Sequence, residues 1–231
     1  MNKRSKKTLR PGEVVSLFDV DNTLLDNDRV IADVRAFLAK EVGAAHARRY
    51  WTLFEKLRTE LGYADYLGAL QSYRGEFPRD LGLLAVSRFL INYPFANRLF
   101  PGSLDAIARA REWGTPVILS DGDVVFQPRK VERAGLGEAV GGNVLIYVHK
   151  ELELKDVQRR YPAKHYLLVD DKLRILTAAK KIWGSMLTTV FVRQGHYATD
   201  PGILATFPPA DVSLNRIGEL ANYDLGKLLH R

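Results

Sequence analysis

The stretch VVSLFDVDNTLLDN, residues 14–27, decides the fold because an apolar segment in it runs directly into acidic side chains. Residues 14–18 form a short β-branched and apolar run, which is typical of a buried strand in a parallel sheet. Asp19 and Asp21 follow this run, and Thr23 comes two positions later. Neighbouring carboxylates at the end of a buried strand repel one another, so the pattern calls for a group that relieves the repulsion.

Two later segments repeat the design of an apolar strand that ends in polar or acidic residues. They are TPVIL at 115–119, followed by Ser120 and Asp121, and HYLLV at 165–169, followed by Asp170 and Asp171. Two further apolar runs, at 143–148 and 187–192, complete five predicted strands. Helical patterns separate these strands, so the sequence predicts an α/β fold with a Rossmann-like, doubly wound parallel sheet.

Residues 29–97 interrupt this alternation with one helical pattern after another. Val30, Val34 and Leu38, for example, recur at the spacing of one helix face. We therefore predict a small, all-helical domain inserted after the first strand. The predicted organisation is a flexible basic tail at 1–10, a core formed by 11–28 and 98–231, and the helical insert at 29–97.

Composition excludes several classes of protein. The 231 residues are 46% hydrophobic, which is enough for a sizeable core, and they include no cysteine, which excludes disulfides and thiolate chemistry. No apolar stretch approaches the roughly 18 residues of a membrane span, and no signal peptide is evident. We expect a cytoplasmic protein without a membrane partner. The net charge of +7 owes five cations to the tail, so we do not expect nucleic acid as the partner.

The acidic strand ends suggest a metal site. In an open parallel sheet, ligands bind beyond the carboxyl ends of the strands, where Asp19, Ser120 and the pair Asp170–Asp171 would meet. Mg²⁺ prefers oxygen ligands and typically uses one or two carboxylates together with substrate phosphate. An EF-hand calcium loop would need Gly and Glu where this sequence has Leu24 and Val30. An Asp-rich turn would explain the first strand end but not the other two.

These motifs, in this order, resemble those of the haloacid dehalogenase superfamily of hydrolases. DVDNT at 19–23 looks like the first motif, VILSDG at 117–122 like the second, and LLVDD at 167–171 like the fourth. The resemblance covers residues 12–222 and implies that the helical insert is the cap domain of this superfamily. Dehalogenases proper usually lack the second acid of the first motif. The presence of Asp21 therefore implies a phosphatase.

The resemblance implies a role for each acid. Asp19 would be the nucleophile that forms an aspartyl-phosphate, and Asp21 would be the general acid and base. Asp19, the backbone carbonyl of Asp21, Asp170 and Asp171 would bind Mg²⁺. Whether Asp170 contacts the metal directly is left open.

The resemblance also implies three residues that hold the substrate phosphate, namely Thr23, Ser120 and Lys150. The third motif is a single lysine, for which Lys150 competes with Lys130. Lys150 is favoured because it follows a predicted strand, whereas Lys130 falls within a predicted helix and is interpreted as part of a solvated face.

The predicted function is Mg²⁺-dependent hydrolysis of a small phosphorylated metabolite. A phosphomutase, a haloacid dehalogenase-type hydrolase and a non-catalytic nucleic-acid-binding protein are the alternatives. The sequence leaves the substrate and the oligomeric state open. Specificity is expected to depend on the insert, where one or two aromatic side chains and Arg58 or Arg74 would face the crevice.

Overall fold

A computed structural model describes residues 12–224, so the predicted tail at 1–10 lies outside the described residues. Its centre is a six-stranded, fully parallel sheet with the strand order β3-β2-β1-β4-β5-β6. The strands are β1 (Val14–Phe18), β2 (Gly114–Asp121), β3 (Val144–Tyr147), β4 (His165–Asp170), β5 (Leu187–Val192) and β6 (Val212–Leu214).

Helices connect the strands and form the insert. Four lie between β1 and β2 in the insert: α1 (Asn27–Val42), α2 (Ala44–Leu61), α3 (Tyr66–Glu76) and α4 (Gly82–Asn92). The others are α5 (Ser103–Arg111), α6 (Phe126–Arg133), α7 (Leu136–Ala139), α8 (Leu154–Arg160), α9 (Leu173–Trp183), α10 (Gly195–Thr199) and α11 (Pro201–Thr206). Within residues 12–224, no helix combines the length and the apolarity that a membrane crossing requires.

Strand β1 occupies the centre of the sheet, and this position determines where the acids lie. It pairs in parallel with β2 on one side and with β4 on the other, and Phe18 lies beside Ile118 and Val169. Because successive side chains point to opposite faces, Leu17 and Phe18 enter two separate apolar clusters, one on each face of the sheet. The carboxyl ends of β1, β2 and β4 therefore meet at one edge.

The predicted fold is confirmed, with one strand added. All five predicted strands are present, and β1 and β5 have the predicted bounds. Strand β6 was not predicted because three residues are too few to show a periodic pattern. Val212 and Leu214 are nevertheless buried, and they continue the apolar cluster on one face of the sheet.

The insert packs on the core through aromatic side chains. Tyr66 of α3 bridges Phe54 of α2 and Phe126 of α6, with ring centroids 4.8 and 4.9 Å apart. Phe126 in turn contacts Phe95, which follows α4, at 5.7 Å. The four rings are buried in the same apolar cluster as one face of the sheet. This contact fixes the insert beside the carboxyl edge of the sheet.

Candidate active site

Asp19 is held directly beyond the end of β1 by a tight loop. The Val20 carbonyl accepts hydrogen bonds from the backbone N–H groups of Leu24 and Leu25 at 2.9 and 3.0 Å, which folds the chain back on itself. Asn22 adopts a positive φ of 59°, a conformation that Asn tolerates better than most residues. The loop brings Thr23 close enough to donate its hydroxyl to Asp19 Oδ2 at 3.2 Å.

Lys150 is the second partner of Asp19. It follows β3, and its buried ammonium group pairs with Asp19 Oδ1 and lies 2.7 Å from Asp170 Oδ2. Burial alone would lower the pKa of Lys150, but the surrounding carboxylates of Asp170, Asp19 and Asp121 outweigh it and raise the pKa well above its usual value. Lys150 is therefore a permanent positive charge between two acids.

Asp170 and Asp171 are both fully buried, but their surroundings differ. Asp170 Oδ1 accepts the backbone N–H of Lys172 at 2.8 Å, in addition to the contact with Lys150. Within residues 12–224, neither carboxylate oxygen of Asp171 has a hydrogen-bond partner. Burial raises the pKa of Asp170 to about 6, although Lys150 opposes the shift, and burial raises the pKa of Asp171 well above its usual range.

These carboxylates fit a hard divalent cation. Asp19, Asp170 and Asp171 each offer one oxygen, and the three oxygens lie within 4.8 Å of one another. Three buried carboxylates at this separation repel one another, and the two unpartnered oxygens of Asp171 lack the hydrogen bonds that buried polar atoms normally form. An all-oxygen donor set of this kind suits Mg²⁺.

Asp21 lies beside this cluster and is oriented by Lys130. Lys130 donates to Asp21 Oδ1 at 2.6 Å and to Asn27 Oδ1 at 3.1 Å. The Lys130 side chain is only 1% exposed, so the interpretation of this residue as part of a solvated helix face was wrong. The helical spacing could have indicated that Lys130 is buried, since Phe126 and Ala134 lie four residues before and after it on the same helix face and are also buried.

Ser120 is the penultimate residue of β2, which lies next to β1, and it is buried. Its hydroxyl accepts a hydrogen bond from Gln127 Nε2 at 2.9 Å. Asp121 Oδ1 accepts a hydrogen bond from the backbone N–H of Lys150 at 2.7 Å. Burial raises the pKa of Asp121, although the charge of Lys150 opposes this shift. Gln127 and Asp121 were not among the predicted site residues. Asp121 could have been identified, because it shares the strand end with Ser120.

A cavity of about 980 Å³ lies between the insert and the part of the site that Asp21 forms. On the core side it is lined by Asp21, Lys130 and Lys172, among others. We call the facing side chains of α1, α2 and α3 the insert wall, which comprises Arg35, Trp51, Phe54, Arg58 and Tyr66. Arg58 is one of the two arginines that the sequence suggested for the crevice, whereas Arg74 is not part of the cavity lining.

We call the five residues at the strand ends the catalytic edge, namely Asp19, Asp21, Lys150, Asp170 and Asp171. The geometry brings oxygens of Asp19, Asp170 and Asp171 within 4.8 Å of one another and favours Lys150 over Lys130 as the lysine beside Asp19. A model of the family described as haloacid dehalogenase-like hydrolase matches residues 15–182, well over half of the chain. The chain is a haloacid dehalogenase-like hydrolase.

Solved structures agree with this family. A haloacid dehalogenase-like hydrolase from Burkholderia xenovorans LB400 is 62% identical, covers 93% of this chain and all of its own, and superposes with a TM-score of 0.88. The hydrolase YfnB of Bacillus subtilis, solved with bound magnesium, is 17% identical over 94% of this chain and 98% of its own, with a TM-score of 0.59.

Dehalogenases of the same fold are also similar to this hydrolase. The L-2-haloacid dehalogenase of Xanthobacter autotrophicus, solved with covalently bound chloropropionic acid, is 18% identical over 91% of this chain and 97% of its own, with a TM-score of 0.56. A search of curated protein sequences found no match. The identity to this dehalogenase is low enough that the likeness concerns the fold alone.

Proposed function

We propose that this hydrolase cleaves small phosphate monoesters through an aspartyl-phosphate on Asp19. The observation that carries the proposal is the position of Asp21, which lies two residues beyond Asp19, lines the cavity and is oriented by Lys130. A halide leaves carbon without taking up a proton. The alkoxide that leaves phosphorus is a much stronger base and requires a general acid. The carboxyl group of Asp21 would serve as this general acid in ester cleavage.

The catalytic edge also suits attack on phosphorus rather than on carbon. Asp19 would attack with one carboxylate oxygen while Thr23 and Lys150 hold the group in place. The phosphate monoester is anionic, so an anionic nucleophile approaches it only if the charges are balanced. Lys150 supplies one balancing charge in a buried site where such interactions are strong. A 2-haloacid carries a single carboxylate charge beside the attacked carbon, so it needs less compensation than a phosphoryl group whose own oxygens are charged.

The reaction would proceed in two steps. In the first, a bond forms between Asp19 and phosphorus, the ester P–O bond breaks, and Asp21 gives its proton to the departing alcohol. In the second, Asp21 takes a proton from water, the water oxygen attacks phosphorus, and the bond to Asp19 breaks to release inorganic phosphate. Ser120, with Thr23 and Lys150, would donate hydrogen bonds to the phosphoryl oxygens.

Asp19, Asp170, Asp171 and the backbone carbonyl of Asp21 would hold Mg²⁺. When bound, this ion neutralises the carboxylates and stabilises the charge that develops on the phosphoryl group. Asp171 is the acid best suited to bind the ion, because both of its oxygens are buried and have no hydrogen-bond partner in the described part of the chain. The helical insert would act as a cap that shields the site from water.

Phosphate release from an aryl phosphate, with Mg²⁺ and with excess chelator, tests the reaction class and the metal. We expect turnover with Mg²⁺, loss of turnover in chelator and recovery when Mg²⁺ is restored. Halide release from 2-haloacids, measured in parallel, tests the dehalogenase, and phosphoryl transfer to a sugar phosphate tests the phosphomutase. Halide release without phosphate release would overturn the proposal.

The variant Asp21→Asn tests the role of the second acid. We expect turnover of alkyl phosphates to fall by about 10²–10⁴-fold, the usual contribution of a general acid–base. Aryl phosphates have better leaving groups, so their first step should suffer less and the aspartyl-phosphate should accumulate. Trapping of the phosphorylated protein measures this. Equal losses for both ester types, with no trapped intermediate, would remove Asp21 from proton transfer.

A further inference from the structure

Arg35 occupies an unusual position in the insert wall. It projects from α1 into the cavity, and its guanidinium carbon lies 4.1 Å from the centroid of the Trp51 ring on α2. Stacking of this kind orients the planar guanidinium without using its N–H groups. Trp51 is itself fixed by edge contacts with Tyr50 and Phe54, at 5.3 and 5.1 Å. Arg35 therefore rests on a rigid aromatic surface.

The other lysine and arginine side chains of the cavity already have partners. These are Asp21 for Lys130, Glu55 for Arg58 and Glu151 for Arg174, and Lys172 lies beside the acids of the catalytic edge. Among residues 12–224, no carboxylate lies within ion-pair distance of Arg35. Arg35 thus keeps its donors free toward the cavity, where a bidentate anion would match them.

Arg35 lines the same cavity as Asp21, the residue of the catalytic edge that belongs to its lining. Asp21 and Lys130 line the core side, whereas Arg35 lines the side formed by the insert. A phosphate bound at the catalytic edge would therefore direct the remainder of the molecule toward the insert wall. The wall beside the unpaired guanidinium also includes the largely buried rings of Trp51, Phe54 and Tyr66. A ligand that fits both ends carries an anionic group at each end.

We propose that Arg35 binds a second anionic group of the substrate, a carboxylate or a second phosphate, on the alcohol that leaves. This inference rests on the proposed phosphatase activity and narrows its substrates to phosphate esters of hydroxy acids or of phosphorylated alcohols. The contact with Arg35 would be made in the bound ester and in the transition state alike. It should therefore act mainly through KM.

Matched ester series test the proposal. One series contains ω-carboxyalkyl phosphates with two to six carbons. The second contains the corresponding carboxamides, in which the group at the far end from the phosphate has nearly the same shape as the carboxylate but no charge. A third series of alkanediol bisphosphates distinguishes a second phosphate from a carboxylate. We expect one length to give kcat/KM at least about 10-fold higher for the anionic member, as one charge-assisted hydrogen-bonded contact allows. The length at which this occurs measures the reach from Asp19 to Arg35.

The ratio of kcat/KM for the carboxylate ester to that for the matched carboxamide should fall close to one in Arg35→Gln, because KM for the anionic ester rises. Arg35→Lys should retain part of the preference for the anionic ester. Arg48→Gln is the matched control. Arg48 is also an exposed arginine of the insert, on α2, but it does not line the cavity, so the ratio should stay at the wild-type value. Melting temperatures of the variants establish that each one is folded.

Three results would overturn the inference. One is a ratio near one at every length in the wild type, while both ester series are hydrolysed. Another is an equal loss of preference in Arg35→Gln and Arg48→Gln, which would assign the effect to overall charge. The third is absence of hydrolysis of every ester, in which case the proposed function fails as well. The first two results leave the phosphatase activity standing.

Discussion

The catalytic edge reaches the cavity through Asp21, and the insert wall lines the same cavity, yet the two regions are built in different ways. On the edge, Asp19 is 3% exposed and is held by Thr23 and Lys150. On the wall, Arg35 is exposed and rests on one aromatic ring. Buried, multiply bonded groups keep one geometry for every substrate, whereas an exposed side chain on a helix can be exchanged without disturbing the core.

This difference in construction leads to an expectation that mutations can test. Substitutions on the catalytic edge should change the turnover of all esters, because every ester undergoes the same bond exchange there. Substitutions on the insert wall should change which ester is preferred. A substitution that behaved in the opposite way would show that the division between chemistry and selectivity does not follow the division between core and insert.

The largest effect is expected for Asp19→Asn. The amide keeps the shape of the side chain but cannot attack phosphorus, so turnover should fall by roughly 10⁴-fold or more. The loss should be the same for anionic and neutral esters and for alkyl and aryl leaving groups. Steady-state rates over the ester series measure it. Residual activity within 10-fold of the wild type would mean that another group is the nucleophile.

The catalytic edge could be predicted from the sequence because topology alone places it. Strands β1, β2 and β4 are recognisable from apolar runs, and in a parallel sheet their carboxyl ends must lie at one edge. Any acid that directly follows such a strand is therefore located without knowledge of a single contact. Asp19, Asp170 and Asp171 all belong to this class, and the structure brings their oxygens within 4.8 Å.

The insert wall could not be predicted in the same way. A helical pattern indicates which face is buried but not what the exposed face looks toward, and this depends on how α1 and α2 pack on the core. Arg35 and Arg48 are both exposed arginines of the insert, and only the structure shows that one of them lines the cavity. The partnership of Lys130 with Asp21 is likewise tertiary, because 109 positions separate the two residues.

Lys130 offers a second, smaller test, because it touches both regions. It belongs to the core helix α6, and it binds Asp21 on the catalytic edge and Asn27 at the start of α1 in the insert. If Lys130 acts by positioning Asp21, Lys130→Met should lower kcat for alkyl phosphates by about 10-fold, the value of one charged hydrogen bond. Aryl phosphates should be less affected.

A double-mutant cycle distinguishes positioning from a merely structural role. The variant Asp21→Asn/Lys130→Met should be no slower than Asp21→Asn alone, because Lys130 has nothing left to position. Lys181→Met, which removes an exposed lysine of α9, controls for the loss of one charge. Additive losses, or losses that are independent of the leaving group, would assign Lys130 to the docking of the insert.

The smallest expected effect concerns the free energy of unfolding, and it arises from burial of a carboxyl group on the catalytic edge. Asp171 is buried without hydrogen-bond partners, and burial raises its pKa. In the metal-free protein the folded state therefore binds a proton more tightly than the unfolded state. The stability that this proton supplies is complete below about pH 4, the ordinary Asp value, and is lost as the pH rises through the higher folded value. Asp171→Asn is neutral throughout and escapes this loss.

We therefore expect metal-free Asp171→Asn to match the wild type at about pH 4 and to melt about 4 °C higher at pH 8. The rise follows from relieving an unpaired group that costs about 1–3 kcal/mol, at about 2–4 °C per kcal/mol in a chain of this size. Mg²⁺ should reverse the order, since it stabilises only the wild type strongly. Glu60→Gln, on the exposed surface of α2 in the insert, should change neither curve. Thermal melts at both pH values, with and without Mg²⁺, measure these differences. A difference in melting temperature that is independent of pH and of Mg²⁺ would show that Asp171 does not bind a metal.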